Sequence, residues 1–201
     1  LKRIEGYRNF CNKLWNAARF IIMNTEGVKL LGNEPNPEDM SLADIWIQGK
    51  LHSLIKSVEK NITNYRIDLI ANSLYDFVWH DYCNWYLELS KSILKDDDQS
   101  KPEQKQATQL NLLYTLDATL KCLHPIIPFI TEELWQTINT DPEKSSIMVE
   151  DYPNSKDFIV DRPVLDQMDW LIAFVVSVRQ IRSEMNISPK IQIPVLLVDL
   201  A

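Results

Sequence analysis

The residues best suited to chemistry lie on one side of a helix predicted near the start of the chain, over about residues 4–24. Successive helical residues are about 100° apart around the axis, so this segment separates into an apolar side and a polar side. The polar side carries amides, cations and one aromatic ring: Asn9, Asn12, Lys13, Asn16, Arg19 and Phe20. Such a ring can stack an unpaired base while amides meet base edges and cations hold phosphates. The pattern therefore indicates a surface for single-stranded RNA.

The same ring has a second interpretation, in which a neighbouring helix covers Phe20. Charge bears on the choice. The first 30 residues hold six basic and two acidic side chains, a net charge of +4. The rest of the chain has a net charge of −11, so the whole chain has a net charge of −7. An acidic protein can still present one basic face to a polyanion, because salt screens charges beyond about 8–10 Å. A solvated basic helix would show the same asymmetry, so both interpretations stay open.

Helix signals dominate the elements that must position this face. The opposite side of the first helix is predicted to be buried through Phe10, Leu14, Ala17, Ala18 and Ile21. Ser41 is the predicted N-cap of a second helix, with Asp44 as its acidic capping partner. Further helices are predicted at about 63–94, 102–123, 129–137 and 162–185. The fold class is therefore mainly α, a helical bundle.

Two apolar stretches towards the C-terminus predict strands. One is residues 146–149, and the other is residues 191–198, where Pro189 and Pro194 indicate a sheet edge. With the long helix between them, these strands form a small α+β extension at residues 146–201, after a helical bundle at residues 1–145. Five tryptophans recur within apolar patterns and are predicted core residues: Trp46, Trp79, Trp85, Trp135 and Trp170.

Composition excludes several classes of function. The chain has only four glycines and neither a GxGxxG nor a GxxxxGK[ST] motif, which argues against a phosphate-binding loop. Its three cysteines (Cys11, Cys83 and Cys122) lack CxxC spacing, which excludes a cysteine zinc site and favours a reducing compartment, the cytoplasm. The three histidines have no metal-ligand spacing, so we expect no metal and no cofactor in this chain. No apolar run is long enough to span a membrane.

The polar helix is part of a longer family pattern. Five segments carry it: residues 8–20 (RNFCNKLWNAARF), 42–47 (LADIWI), 74–88 (LYDFVWHDYCNWYLE), 123–135 (LHPIIPFITEELW) and 179–186 (RQIRSEMN). Together they resemble the anticodon-binding domain of valyl-tRNA synthetases over essentially all 201 residues. Residues 123–135 resemble the valyl, leucyl and isoleucyl branches of class I synthetases alike. Residues 12–20 are more particular to the valyl branch.

The resemblance implies a class I synthetase anticodon-binding bundle that grips the anticodon stem-loop of valine tRNA, with splayed anticodon bases at the first helix. Arg19 and Phe20 match the motif's contact positions, with Phe20 beneath a base. Lys13 matches a basic position on the same face. Asn12 and Asn16 are neighbouring candidates. These five residues are the RNA-binding site that we predict.

The resemblance also implies what the chain lacks. Class I synthetases activate amino acids with His-x-Gly-His-type and Lys-Met-Ser-Lys-Ser-type motifs, and neither is present. The parent enzyme would attach valine to its tRNA with ATP and magnesium, whereas this piece is expected to have no catalytic residue and no cofactor. The catalytic and editing domains are expected to precede Leu1, and a basic C-terminal arm to follow Ala201.

Three other interpretations remain. An isoleucyl or leucyl synthetase domain would keep the bundle and read another anticodon. A protein-interaction scaffold would need no basic face, and it predicts that replacing Lys13, Arg19 or Phe20 leaves RNA affinity unchanged. An enzyme built on His80, with Asp76 one helical turn away, has the least support, because it would require a cleft and a substrate site around that residue.

Overall fold

The computed structural model describes residues 2–29, 34–95, 101–139, 141, 145–188 and 190–196, with side chains from residue 4 onward. Within them the helices are α1 (Lys2–Asn24), α2 (Leu42–Thr63), α3 (Ile67–Asp76), a π-helical segment (Phe77–Tyr86), α4 (Leu87–Leu94), α5 (Pro102–Leu123), α6 (Pro128–Ile138) and α7 (Arg162–Glu184). Short 3-10 turns lie at Pro37–Asp39, Ile147–Val149 and Ser155–Asp157. The prediction of a mainly α bundle is confirmed, and the predicted helices agree with these bounds to within a few residues.

Helix α1 buries the side that lies opposite its polar face. The buried residues are Phe10, Leu14, Ala17, Ala18 and Ile21, as predicted. They enter one apolar core to which α2, the π-helical segment, α5 and α6 also contribute. Small side chains at positions 17 and 18 let neighbouring helices approach closely. Because burial is confined to this side, the polar side of α1 remains available at the surface.

The N-terminus of α2 contains a carboxylate with no exposed surface, that of Asp44. Ser41 and Asp44 form the predicted capping box, with the Ser41 N–H donating to Asp44 Oδ2 at 3.0 Å and the Asp44 N–H donating to Ser41 Oγ at 3.2 Å. The carboxylate also accepts hydrogen bonds from Tyr86 OH at 2.7 Å, Thr108 Oγ1 at 2.7 Å and Asn111 Nδ2 at 3.2 Å. These neutral donors and the positive end of the helix dipole stabilise the charge. The network joins α2, the π-helical segment and α5.

The predicted third helix contains the π-helical segment between α3 and α4. Its backbone bonds run from residue i to i+5, so each turn is wider than an α turn. Buried residues recur at intervals of four through all three parts: Leu74, Val78, Tyr82, Tyr86, Ser90 and Leu94. A regular α-helix rotates such a row by about 40° at each step. The wider turns rotate it back, and one side of the long helix stays against the core.

Helix α5 is the central element of the bundle and packs against α1, α2, α4 and α6. It buries polar as well as apolar side chains. The hydroxyls of Thr115 and Thr119 donate to the carbonyls of Asn111 and Thr115 at 2.7 and 2.6 Å, so burial leaves them paired. Neither α5 nor another helix in the described part of the chain is long and apolar enough to cross a bilayer.

The predicted strand at residues 146–149 is wrong. These residues form the turn Ile147–Val149, which begins after Ser146, whose side chain accepts a hydrogen bond from the Met148 N–H. Ile147 is buried against the bundle, while Met148 and Val149 are exposed. The backbone groups of this apolar run form hydrogen bonds within the turn rather than with a neighbouring strand. Only the Ile147 side chain of the turn is buried against the bundle.

The predicted C-terminal strand is also wrong for the part that the structure describes, residues 190–196, which have no strand geometry. Leu197 and Val198, the rest of that prediction, lie outside the described residues. Arg182 Nη2 donates to the carbonyl oxygens of Ser188 and Ile191 at 2.5 and 2.7 Å, so the chain after α7 is held in a turn against that helix. The described extension is therefore helical rather than α+β. Its division from the bundle at residue 145 stays a prediction.

Helix α7 is buried only where it begins. Val164 and Met168 belong to the common core, whereas from residue 170 to its end the described helix has no buried residue. Trp170 is 59% exposed, so the prediction that it is a core residue is wrong. Trp46 and Trp135 are fully buried, as predicted. Helical spacing alone did not distinguish the buried tryptophans from the exposed one.

Candidate nucleic-acid interface

The polar side of α1 holds the five predicted RNA-binding residues at different depths. Asn12, Asn16 and Arg19 are exposed, and Lys13 and Phe20 are half-buried. The Phe20 ring packs against the core along part of its surface. A neighbouring helix therefore covers some of the ring, and the remainder faces a groove. One part of the ring is thus covered by the bundle, as the second interpretation predicts, and the other part borders a groove, as base stacking would require.

Lys13 is held in place by the helix opposite. Its Nζ donates to Asn84 Oδ1 at 2.7 Å and lies 3.9 Å from the centroid of the Trp79 ring. Trp79 in turn stacks on Tyr75, with 5.6 Å between ring centroids and 8° between planes. An ammonium group has three donors, and this arrangement uses one of them for Asn84. Lys13 is therefore positioned by the π-helical segment while keeping donors for a further acceptor.

A first groove, of about 240 Å³, lies between α1 on one side and the π-helical segment and α4 on the other. Its polar and apolar surfaces include Lys13, Asn16, Phe20, Leu87, Glu88 and Lys91. Three of the five predicted residues thus meet here. Cys83 also borders the groove. Burial raises the pKa of its thiol to about 11, against the opposing effect of Lys13, so the thiol stays protonated at neutral pH. The groove has the groups for binding a base and no activated sulfur nucleophile.

Arg19 faces a second groove. Because Arg19 and Phe20 are adjacent in a helix, their side chains point about 100° apart. Arg19 lines a groove of about 410 Å³ between α1 and α6, together with Trp15, Met23 and Leu134. Trp15 is 44% exposed there. Arg19 has no hydrogen bond or ion pair to any residue that the structure describes, so its five donors are available.

The predicted site is therefore divided between two surfaces. Lys13, Asn16 and Phe20 border the first groove, while Arg19 borders the second. Asn12 is exposed and, on the helical wheel, lies about 20° from Arg19 and about 80° from Phe20. The structure brings the five residues onto one helix but not into one pocket. Their contacts with RNA stay a prediction.

Sequence reasoning missed the residues that face α1 from the long third helix. Asn84, Glu88 and Lys91 lie at spacings of four and three, on a row that faces α1. Lys91 Nζ is 5.6 Å from the centroid of the Phe20 ring and 2.6 Å from Glu88 Oε1. A polar row within a helix otherwise rich in buried aromatics was the available signal. The sequence did not indicate that this polar row faces α1, because that contact depends on how the helices pack.

Arg179 and Arg182, the two arginines in the later part of α7, have partners within the chain. The Arg179 guanidinium carbon lies 5.2 Å from the centroid of the half-buried Trp85 ring. Arg182 holds the turn that follows α7. Arg179 therefore contacts the π-helical segment and Arg182 the turn after α7, and their positions give no independent support for RNA contact.

Two of the three histidines form hydrogen bonds within the chain, and the three do not meet in a common site. His52 Nδ1 is 2.6 Å from the Ser155 carbonyl oxygen, and His124 Nδ1 is 2.8 Å from Thr131 Oγ1. His80 is exposed, has no hydrogen bond to Asp76 and lines neither groove. In the described part of the chain, no group of three or more His, Cys, Asp or Glu side chains is arranged to hold a metal ion. The geometry supports recognition by α1 better than an enzyme built on His80.

A helical bundle with one aromatic and basic helix face has the features of a nucleic-acid recognition module. Residues 44–197 match a family described as the anticodon-binding domain of tRNA ligase. The chain belongs to this family. The match begins within α2, so α1 is compared through individual relatives instead.

Those relatives include proteins named valine–tRNA ligase. The one from Legionella pneumophila (strain Lens) is 47% identical over 96% of this chain and 21% of its own length. The one from Coxiella burnetii is 44% identical over the same shares, and the one from Psychrobacter arcticus is 39% identical over 98% of this chain and 21% of its own length. The resemblance to valyl-tRNA synthetases is thus confirmed. The chain spans about a fifth of the length of the curated relatives that it matches.

Proposed function

We propose that this chain is the anticodon-recognition module of a valine–tRNA ligase, and that α1 binds the anticodon loop of valine tRNA. The half-buried Phe20 ring, which borders a groove with an amide and two lysines, carries the proposal. A base stacked on such a ring gains about 1–3 kcal/mol. Lys13 would contact phosphate, and Asn16 a base edge. Arg19 and Asn12 would meet the adjoining part of the loop from the second side of α1.

The parent enzyme is proposed to attach valine to its tRNA, with ATP and magnesium, in the cytoplasm. The sequence contains neither of the two motifs with which class I synthetases activate amino acids, and the residues that the structure describes include no group of three or more possible metal ligands. We therefore assign that chemistry to catalytic and editing domains of the same parent chain, which are this module's proposed partners. Binding energy gained at the anticodon raises specificity, since a pocket alone separates small aliphatic side chains by only about 10–200-fold.

The test is a titration of the 201-residue chain, at low salt, with RNA hairpins. One hairpin carries a valine anticodon and the other has its second and third anticodon bases exchanged. We expect the valine hairpin to bind more tightly. Phe20→Ala should weaken its binding by about tenfold, the loss of one stacked base, and should remove the preference.

Phe129→Ala is the matched control. Phe129 is 90% exposed at the start of α6 and lines neither groove, so its removal should leave the affinity unchanged. Equal binding of both hairpins, with no effect of Phe20→Ala, would contradict anticodon recognition and favour the protein-interaction scaffold. Tighter binding of a hairpin with an isoleucine or leucine anticodon would assign the module to that branch instead.

A further inference from the structure

An ion pair covers the Phe20 ring where the proposed base would stack. Lys91 Nζ lies 5.6 Å from the ring centroid, and the same atom is 2.6 Å from Glu88 Oε1. Both side chains are exposed on α4, three residues apart. A cation within about 6 Å of a ring centroid is attracted to the negative face of the ring. Lys91 therefore occupies the surface that stacking would require.

The groove beside this pair is suited to a single planar group. Its volume of about 240 Å³ is below the roughly 300–1,000 Å³ of pockets that enclose drug-sized ligands. Phe20 and Leu87 supply apolar surface. Asn16, Glu88 and Lys91 supply amide, carboxylate and ammonium groups around it. One nucleobase matches this combination of a stacking surface and a polar border.

Stacking should displace the ion pair. Solvent and salt screen an exposed pair of charges, so such a pair contributes little to stability. A base stacked on an aromatic ring contributes more. The displaced Lys91 ammonium lies on a flexible four-carbon stem and can turn to the phosphate of the stacked nucleotide. Glu88 is then left without its cation, beside the edge of the base.

We propose that Glu88 and Lys91 form a displaceable cover over Phe20, and that Glu88, once uncovered, selects cytosine over uracil as the stacked base. This inference rests on the proposed anticodon function. An ionised carboxylate only accepts hydrogen bonds. The N4 amino group of cytosine donates to it, whereas uracil presents an acceptor oxygen at the same place. Because valine codons begin with guanine, the third anticodon base is a cytosine that this groove can read.

The selection is tested with two valine hairpins that differ only in cytosine or uracil at the third anticodon position. The unaltered chain should prefer cytosine by about tenfold, the discrimination that one good base contact gives. Glu88→Gln should bring this ratio close to one, because an amide side chain offers both a donor and an acceptor. Glu133→Gln, an exposed carboxylate on α6 that lines neither groove, is the control and should keep the ratio.

The displacement has two readouts of its own. Lys91→Ala should reduce the slope of log affinity against log salt concentration by about one, since one phosphate contact is lost, while the cytosine preference remains. In the free chain, the ring current of Phe20 should shift the NMR signals of the Lys91 ε-methylene protons upfield. Saturation with the cytosine hairpin should return those signals to their ordinary position.

The outcomes separate this inference from the function on which it rests. If Phe20→Ala weakens hairpin binding while Glu88→Gln leaves the cytosine preference intact, the selection by Glu88 is overturned and the anticodon function stands. If the Lys91 methylene signals do not move on saturation, the cover is overturned. If no hairpin binds, or Phe20→Ala has no effect, the proposed function and the inference both fail.

Discussion

Asp44 shows how one residue can hold several helices together without an ion pair. Its carboxylate is fully buried and accepts hydrogen bonds from a serine, a tyrosine, a threonine and an asparagine on different elements. Hydrogen bonds to a charged group contribute about 1.5–3 kcal/mol each, roughly twice those between neutral groups. The same carboxylate caps α2. Loss of this single side chain therefore leaves several buried donors without an acceptor.

We predict that Asp44→Ala lowers the free energy of unfolding by about 3 kcal/mol or more, because an unpaired buried polar group costs about 1–3 kcal/mol. Asp44→Asn keeps the shape and one acceptor oxygen, so its cost should be smaller. Urea unfolding followed by far-UV circular dichroism measures both. Asp151→Ala, at an exposed carboxylate, is the control and should change stability by less than about 0.5 kcal/mol. A loss below about 1 kcal/mol for Asp44→Ala would contradict the role assigned to the network.

The helices differ in how firmly the bundle holds them. Helix α5 packs against four other helices and buries more than half of its residues. Helix α7 buries Val164, Leu165 and Met168 near its start and then runs on with exposed or half-buried side chains. Local opening costs less free energy where few apolar contacts must be broken. The later part of α7 should therefore open independently of the core.

Amide hydrogen exchange measures this difference. We predict that backbone amides at residues 174–184 exchange about 100-fold faster, or more, than those at residues 108–122, after correction for intrinsic rates. Mass spectrometry of the exchanging chain resolves the two segments. The first half of α7 should show intermediate protection. It begins after the N-cap Asp161, whose Oδ1 accepts a hydrogen bond from the Val164 N–H. Equal protection along α7 and α5 would contradict independent opening of α7, because its few buried side chains would not account for such protection.

At the scale of the molecule, an acidic protein of net charge −7 presents its basic groups locally. Lys13 and Lys91 border one groove and Arg19 the other, on either side of α1.

The two buried cysteines lie in apolar surroundings that disfavour the charged thiolate. Burial raises the pKa of the Cys83 thiol to about 11 and of the Cys122 thiol to about 12. Folding therefore keeps two protons that the unfolded chain gives up at lower pH.

Stability should consequently fall in alkaline solution. An unfolded thiol ionises near pH 8.5–9, whereas both folded thiols stay protonated there, so the unfolded state loses protons first as pH rises. We predict a loss of about 3 kcal/mol in the free energy of unfolding between pH 8 and pH 10 from these two groups. Denaturant unfolding across this range should show a shallower decline in a Cys83→Ala, Cys122→Ala double variant. Cys11→Ala, at a partly exposed thiol, is the control. An unchanged slope in the double variant would rule out the buried thiols as its cause.

Local signals in the sequence were enough to predict much of this protein. The wheel of α1 separated Phe10, Leu14 and Ile21 from the polar side, because helical periodicity and burial share one geometry. The Ser41–Asp44 capping box depends only on two residue types three positions apart, which can be recognised in the sequence alone. Family resemblance predicted the candidate site on α1 from residues 8–20, and the contacts of that site with RNA stay a prediction. These features need only neighbours along the chain.

The tertiary structure decided which surfaces meet. Arg19 and Phe20 share a sequence motif, yet α6 lies beside one and α4 beside the other, so they border different grooves. Lys91 reaches Phe20 from 71 residues away along the chain. The apolar run at residues 146–149 looked like a strand, but a strand needs a partner, and its backbone found only local bonds. Periodicity specifies which side of an element is apolar, whereas packing between distant elements determines what that side and its polar opposite contact.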